Sequence, residues 1–321
     1  MGFNEEPGMS FLPAERFIIT LIATLAGLDI CLILWKGVGV DIAGYAALVS
    51  CGIFVIALGQ YYRHFRRDAG IAMAATAAGL FIIFTMAGSI FNYMLLPIRS
   101  APIDPWLVWI DAHLGYDWQT FVIWASQYPA VGTILRIVYI TSLPQLVAVI
   151  LILGLSRRQH DLHRFLMTGI IGAILAILCW SFFPSFGASS IYQLPQSVLD
   201  AVPIAVGPDY GAELRRLGQD GVDYLTPANV LGLIGFPSFH TVMACMSAIF
   251  LGRVRMVAIP AILLNAAMVP AILIQGGHNL MDMIGGIVTF AIAYVLAGAA
   301  LAQCKRGYAK RRHRSTTPAT A

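Results

Sequence analysis

Apolar residues fill this chain in long unbroken runs, and each run ends at a proline, a glycine or a cluster of charge. A helix needs about 20 mostly apolar residues to cross a bilayer core. Runs of that kind predict eight spans, at 17–35, 42–61, 70–95, 131–154, 165–183, 239–252, 256–275 and 279–303. The sixth is short. It either extends back through 230–238 or starts at a kink near Pro237. The expected architecture is all-α, a polytopic bundle of about eight transmembrane helices with interfacial helices, in one integral membrane domain over 1–321. Within it, 1–95 holds the N-terminal spans, 96–303 a core and 304–321 a basic tail.

Two long segments lie between runs. In the first, DPWLVWIDAHLGYDW, Asp104 before Pro105 and Asp117 are helix-start signals. Trp106, Trp109, Trp118 and Trp124 suit short helices at the lipid headgroups. The second, 184–235, is rich in Pro, Gly and Ser, and its length predicts a lid or a route for substrate.

Composition agrees with the spans. The chain is 59% hydrophobic and 11% charged, with a mean hydropathy of +0.78, where a soluble domain carries roughly 25% charged residues. The N-terminus MGFNEEPGMS has no basic region ahead of its apolar run, so the first run is expected to stay as a span. The five cysteines are scattered without a CxxC pair and predict neither a zinc site nor a disulfide framework.

Basic residues set the expected orientation. Arg16, the 63–67 cluster, Arg157, Arg158, Arg164, Arg253, Arg255 and the tail fall on one set of span ends; the other set carries Lys36, Arg99, Arg136, Arg215 and Arg216. Both termini are therefore expected in the cytoplasm of a cell (plasma or inner) membrane. The basic tail is expected to be a disordered end touching anionic lipid rather than nucleic acid.

Few residues are equipped for chemistry. In GGHNLMDMIGG, His278 and Asp282 are four apart and share a helix face. A carboxylate one turn from an imidazole fixes its tautomer and raises its basicity. In GFPSFHTVMA, Pro237 and Ser238 can open a helix whose free N–H groups suit a phosphate oxygen, and His240 sits in that first turn. The expected topology puts both helix starts on the outer face. Two histidines and a carboxylate at one depth are what an in-line phosphoryl transfer needs. Arg136, inside the outer end of the fourth span, is the expected phosphate cation, with Tyr139 and Gln145 adding hydrogen bonds. Asp29, midway along the first span, has no evident partner. No cofactor and no metal are expected. The alternative reading is a transporter or channel using Asp29, Arg136 and Asp282 as a polar path.

The motifs Pro237-Ser238-Phe239-His240 and His278 to Asp282 resemble those of the phosphatidic acid phosphatase type 2 superfamily. DPWLVWIDAHLGYDW, RIVYITSLPQ and FFPSFG are similar to its inositol phosphorylceramide synthase-like branch, and the likeness covers roughly residues 100–290. The resemblance implies a phosphohistidine intermediate, with His278 the nucleophile, Asp282 its orienting partner, His240 the general acid and Ser238 a phosphate holder. It also implies a lipid phosphate or phosphodiester as substrate, and possibly a lipid acceptor. The superfamily's upstream Ser-Arg pair falls here at Ala271 and Ile272, and its basic motif is not apparent. Arg136 is the expected substitute.

Overall fold

The computed structural model describes residues 11–316, with side chains to Tyr308. The acidic start of the chain and residues from 317 onward lie outside the described residues.

Among the described residues there are thirteen α-helices: α1 (Pro13–Lys36), α2 (Ile42–Tyr61), α3 (Ala69–Met94), α4 (Asp104–His113), α5 (Trp118–Ser126), α6 (Pro129–Ile140), α7 (Ser142–Leu155), α8 (Gln159–Phe182), α9 (Gln196–Ala201), α10 (Pro208–Asp220), α11 (Phe239–Leu251), α12 (Ala258–Gln275) and α13 (Leu280–Thr316). Two residue pairs, Gly39–Val40 and Tyr224–Leu225, add a short parallel ladder. Local chemistry sets many of the starts. The Asp41, Asp68 and Asp117 carboxylates accept backbone N–H groups at the starts of α2, α3 and α5.

Among the described residues, six helices (α1, α2 with its short π-helical extension, α3, α8, α12 and α13) are long and apolar enough to cross a membrane. The expected all-α polytopic bundle therefore holds, and its count of about eight compares with six long apolar helices, or up to seven if the bent pair α5–α6 is one span. The fourth predicted span is two helices, α6 and α7, separated by Thr141, and α11 is only 13 residues long. Helices α5 and α6 meet at a 118° bend, as in a broken span or a re-entrant loop.

Two other expectations change. The basic tail is not irregular up to Thr316: α13 runs on through it. QCKRGYAKRR is rich in helix formers, and basic residues near a helix C-terminus suit its dipole. Trp106, Trp109 and Trp124 are exposed as expected, but Trp118 is 1% exposed. Its indole N–H donates to the Leu273 carbonyl at 2.8 Å.

Helices α3 and α8 are the most buried of the six, while α1 and α2 turn most of their surface outward. At one end of the bundle, Arg63 makes a bidentate pair with buried Glu15, and Arg158 donates to the Arg253 carbonyl. At the other, Lys36 donates to the Leu96 carbonyl and the Tyr93 hydroxyl accepts from Leu231 N–H. The 184–235 segment packs at this second end, where α11 and α13 begin.

Candidate active site

The chain enters α13 through Gly276 and Gly277, the latter at φ +61°. His278 and Asp282 follow, one turn apart. His278 Nδ1 donates to Asp282 Oδ2 at 3.1 Å, and the same oxygen accepts Asn279 N–H at 2.9 Å. Asp282 is fully buried. With the proton on Nδ1, the lone pair lies on Nε2, which faces Ser238 Oγ at 3.3 Å.

Ser238 is the N-cap of α11, and its hydroxyl accepts Thr241 N–H. Its own N–H donates to the Asp282 carbonyl at 2.9 Å, which ties the two helix starts together. The glycines after Asp282 allow this approach. A Cβ on Gly285 would lie 2.6 Å from the Phe236 ring, and one on Gly286 2.7 Å from Thr241 Cβ. The Phe239 and His240 amides are paired with no backbone acceptor, so the α11 N-terminus presents free donors. The His240 imidazole stacks on Tyr139 with ring centres 4.5 Å apart and lies 6.1 Å from the His278 ring.

Both histidines line a cavity of about 530 Å³. Tyr139, Gly276, Gly187, Ala205, Val206 and Tyr210 surround its upper part, and Leu80, Phe81, Phe165, Leu166 and Met246 make an apolar lower part. The 184–235 segment supplies much of the upper wall. Among the described residues, no lysine or arginine lines this cavity.

The structure thus brings His240, His278 and Tyr139 to the cavity, with Ser238 and Asp282 directly behind them. It does not bring Arg136 or Gln145 there. Arg136 donates to the Pro203 carbonyl at 3.2 Å, bracing the strand of chain that leads to Ala205. Gln145 accepts from Asn265 Nδ2 and donates to Thr141 Oγ1, between α7 and α12. Gln145 lies six residues past Tyr139, about one and two-thirds helical turns, so it faces Asn265 of α12 and not the cavity. Asp29 is buried with both carboxylate oxygens unpartnered, and shares no contact with Arg136 or Asp282.

Three supporting residues escape a reading of spacing alone. Asp111 accepts the N–H groups of Leu280 and Met281 at 2.6 and 3.0 Å, capping α13 from α4. Asp104 accepts from Ser185 Oγ and from Phe186 and Gly187 N–H, fixing the loop against Gly277. Burial pushes the Asp104 carboxyl up to about 6 against the pull of those donors, and raises Asp111 too. Gln275 accepts Ala205 N–H and donates to the Gly132 carbonyl. The sequence signal for both aspartates was only that of a helix start or a polar residue among tryptophans.

The family model described as the PAP2 superfamily matches residues 105–296. No curated protein and no solved structure matches.

Proposed function

Since the chain belongs to the PAP2 superfamily, whose members are in general phosphatases or phosphotransferases, we propose that it cleaves or transfers a phosphoryl group on a lipid through a phosphohistidine at His278. The observation that carries this reading is the His278 pair. Asp282 holds the Nδ1 proton, and Nε2 is directed past Ser238 to a cavity wall shared with His240.

In the proposed reaction, Nε2 attacks phosphorus in line and the bond to the leaving oxygen breaks. His240, as imidazolium, gives that oxygen its proton. Asp282 stabilises the positive charge gained by the His278 ring. Water or a lipid hydroxyl then attacks the phosphorus–nitrogen bond, passing its proton to His240 and freeing His278. Phosphate oxygens rest on the Phe239 and His240 amides at the α11 N-terminus, a role first expected of Arg136.

The lack of a lysine or arginine in the cavity wall favours one finer assignment. A phosphomonoester brings two negative charges to a site with one transient cation, whereas a phosphodiester brings one. Burying uncompensated charge is costly. A diester donor with a lipid hydroxyl as acceptor, the inositolphosphotransferase-like chemistry, is therefore preferred to phosphatase action. The distribution of basic residues supports a site on the outer face of the cell membrane.

The test uses the purified full chain with phosphorus-labelled lipid monoester or diester, with and without a lipid acceptor. Wild type should form an acid-labile phosphoryl adduct at residue 278, absent from His278→Ala. Turnover undiminished in His278→Ala sinks the reading. Release of free phosphate alone, unaffected by acceptor, removes the transferase version and leaves the phosphatase.

A further inference from the structure

One wall of the cavity carries polar groups for which the phosphoryl chemistry has no use. Thr85, Ser89 and Asn92 of α3 all line it, spaced four and three residues apart on one helix face. Leu80, Phe81 and Phe84 continue that face downward. The Thr85 hydroxyl is satisfied by the Phe81 carbonyl. Asn92 is different. It is 8% exposed, and its Oδ1 is buried without a partner. The Tyr45 hydroxyl approaches Ser89 and is itself unsatisfied, as are both oxygens of nearby Asp29.

A buried acceptor left unmade destabilises the fold, so such groups are expected to be used. Asn92 sits two residues from the end of α3, at the end of the bundle where Tyr93 meets Leu231 and where α11 begins with His240. Twelve residues of helix separate Asn92 from Leu80, a drop of about 18 Å. A lipid with its phosphate between the histidines and its chain in the apolar lower cavity carries its linking region past this polar stripe. The unpartnered group there is an acceptor, and an amide can also turn to offer it.

We propose that Ser89 and Asn92 form a second recognition site, which binds a neutral hydrogen-bond donor, a hydroxyl or an amide N–H, carried by the lipid next to its phosphate-bearing end. This rests on the phosphoryl-transfer reading for the position of the phosphate, but its binding test does not depend on turnover.

The experiment measures equilibrium binding of two lipid phosphates to the purified full chain in detergent. They are the methyl phosphodiester of 1-acylglycerol 3-phosphate and the chain-matched analogue with hydrogen in place of its free hydroxyl. Wild type is expected to bind the hydroxylated lipid about tenfold more tightly. Asn92→Leu should lose that preference while keeping the wild-type affinity for the deoxy analogue, which also reports that the variant is folded. Ser89→Ala should reduce the preference in part. Equal affinities in wild type, binding of neither lipid, or a preference that survives in Asn92→Leu overturns the proposal. If wild type binds with the expected preference but turns over no lipid phosphate, and His278→Ala changes nothing, the phosphoryl reading fails while the recognition site stands.

Discussion

Asp111→Asn separates the placement of α13 from the chemistry of its first turn. The Asp111 carboxylate accepts Leu280 N–H at 2.6 Å and Met281 N–H at 3.0 Å, and it lies buried beneath the helix that presents His278 and Asp282. Asparagine keeps the shape and one acceptor but turns an NH₂ toward the second helix N–H. One hydrogen bond to a charged group is lost, about 1.5–3 kcal/mol. Removing the charge from the helix N-terminus adds about 0.3–1 kcal/mol. Part of this falls on folding, and part on the geometry of the His278–Asp282 pair. If about 1.4 kcal/mol reaches the transition state, kcat falls tenfold. The assay is kcat and KM for a labelled lipid phosphate or diester, beside a thermal unfolding curve in the same detergent. Expected are a kcat about tenfold lower, KM within about twofold, and a lower Tm. In a His278→Ala background the substitution should lower stability without lowering residual activity further. An unchanged kcat with a reduced Tm would refute the positioning role and leave Asp111 as a cap.

Gly276→Ala should nearly abolish activity, because its Cβ would lie 2.8 Å from the His278 ring and 3.0 Å from the Tyr139 ring; wild-type turnover in a folded variant contradicts this. Arg136→Gln should leave kcat within a few-fold of wild type, since the guanidinium donates to the Pro203 carbonyl and does not line the cavity; a hundredfold loss would return Arg136 to the phosphate. Asp104 titrates above the ordinary carboxylate range, at about 6. Its ionised form is therefore disfavoured in the folded state, and its contribution to stability is full at pH below about 4 and lost as pH rises through 6. The Tm of wild type should accordingly fall relative to Asp104→Asn between pH 4 and 7, and parallel profiles would contradict the shift.

The parts of the site legible in the sequence are those that depend on one helix turn. His278 and Asp282 meet because residues four apart always share a face. Ser238 and His240 announce a helix start whatever surrounds it. Tyr139 was expected at the site as a hydrogen-bond donor, but its stacking on His240 was not legible, since nothing in the sequence relates the two rings. Arg136 and Gln145 were not placed, because the direction of Arg136 depends on the bend before α6 and Gln145 faces α12, six residues past Tyr139. Asp111 and Leu280 are 169 residues apart in sequence, and nothing local in either stretch marks the contact. The spans were legible by composition. The short sixth helix past Pro237 was legible too, whereas the division of the fourth run at Thr141 was not, since the nearest proline, Pro144, lies inside α7 rather than at the break. Nor was the burial of Trp118, whose indole finds its acceptor on α12.

The lower cavity is as apolar as the hydrocarbon around the bundle. For an amphiphile already dissolved in a bilayer, moving its chain into this space exchanges one oily surrounding for another, so the hydrophobic effect supplies almost no driving force. Saturation must then follow the mole fraction of substrate among the lipids or detergent molecules present, and not its bulk molarity. Added inert detergent should weaken apparent binding by dilution in two dimensions. Affinities from different micelles become comparable only after that surface concentration is taken as the variable.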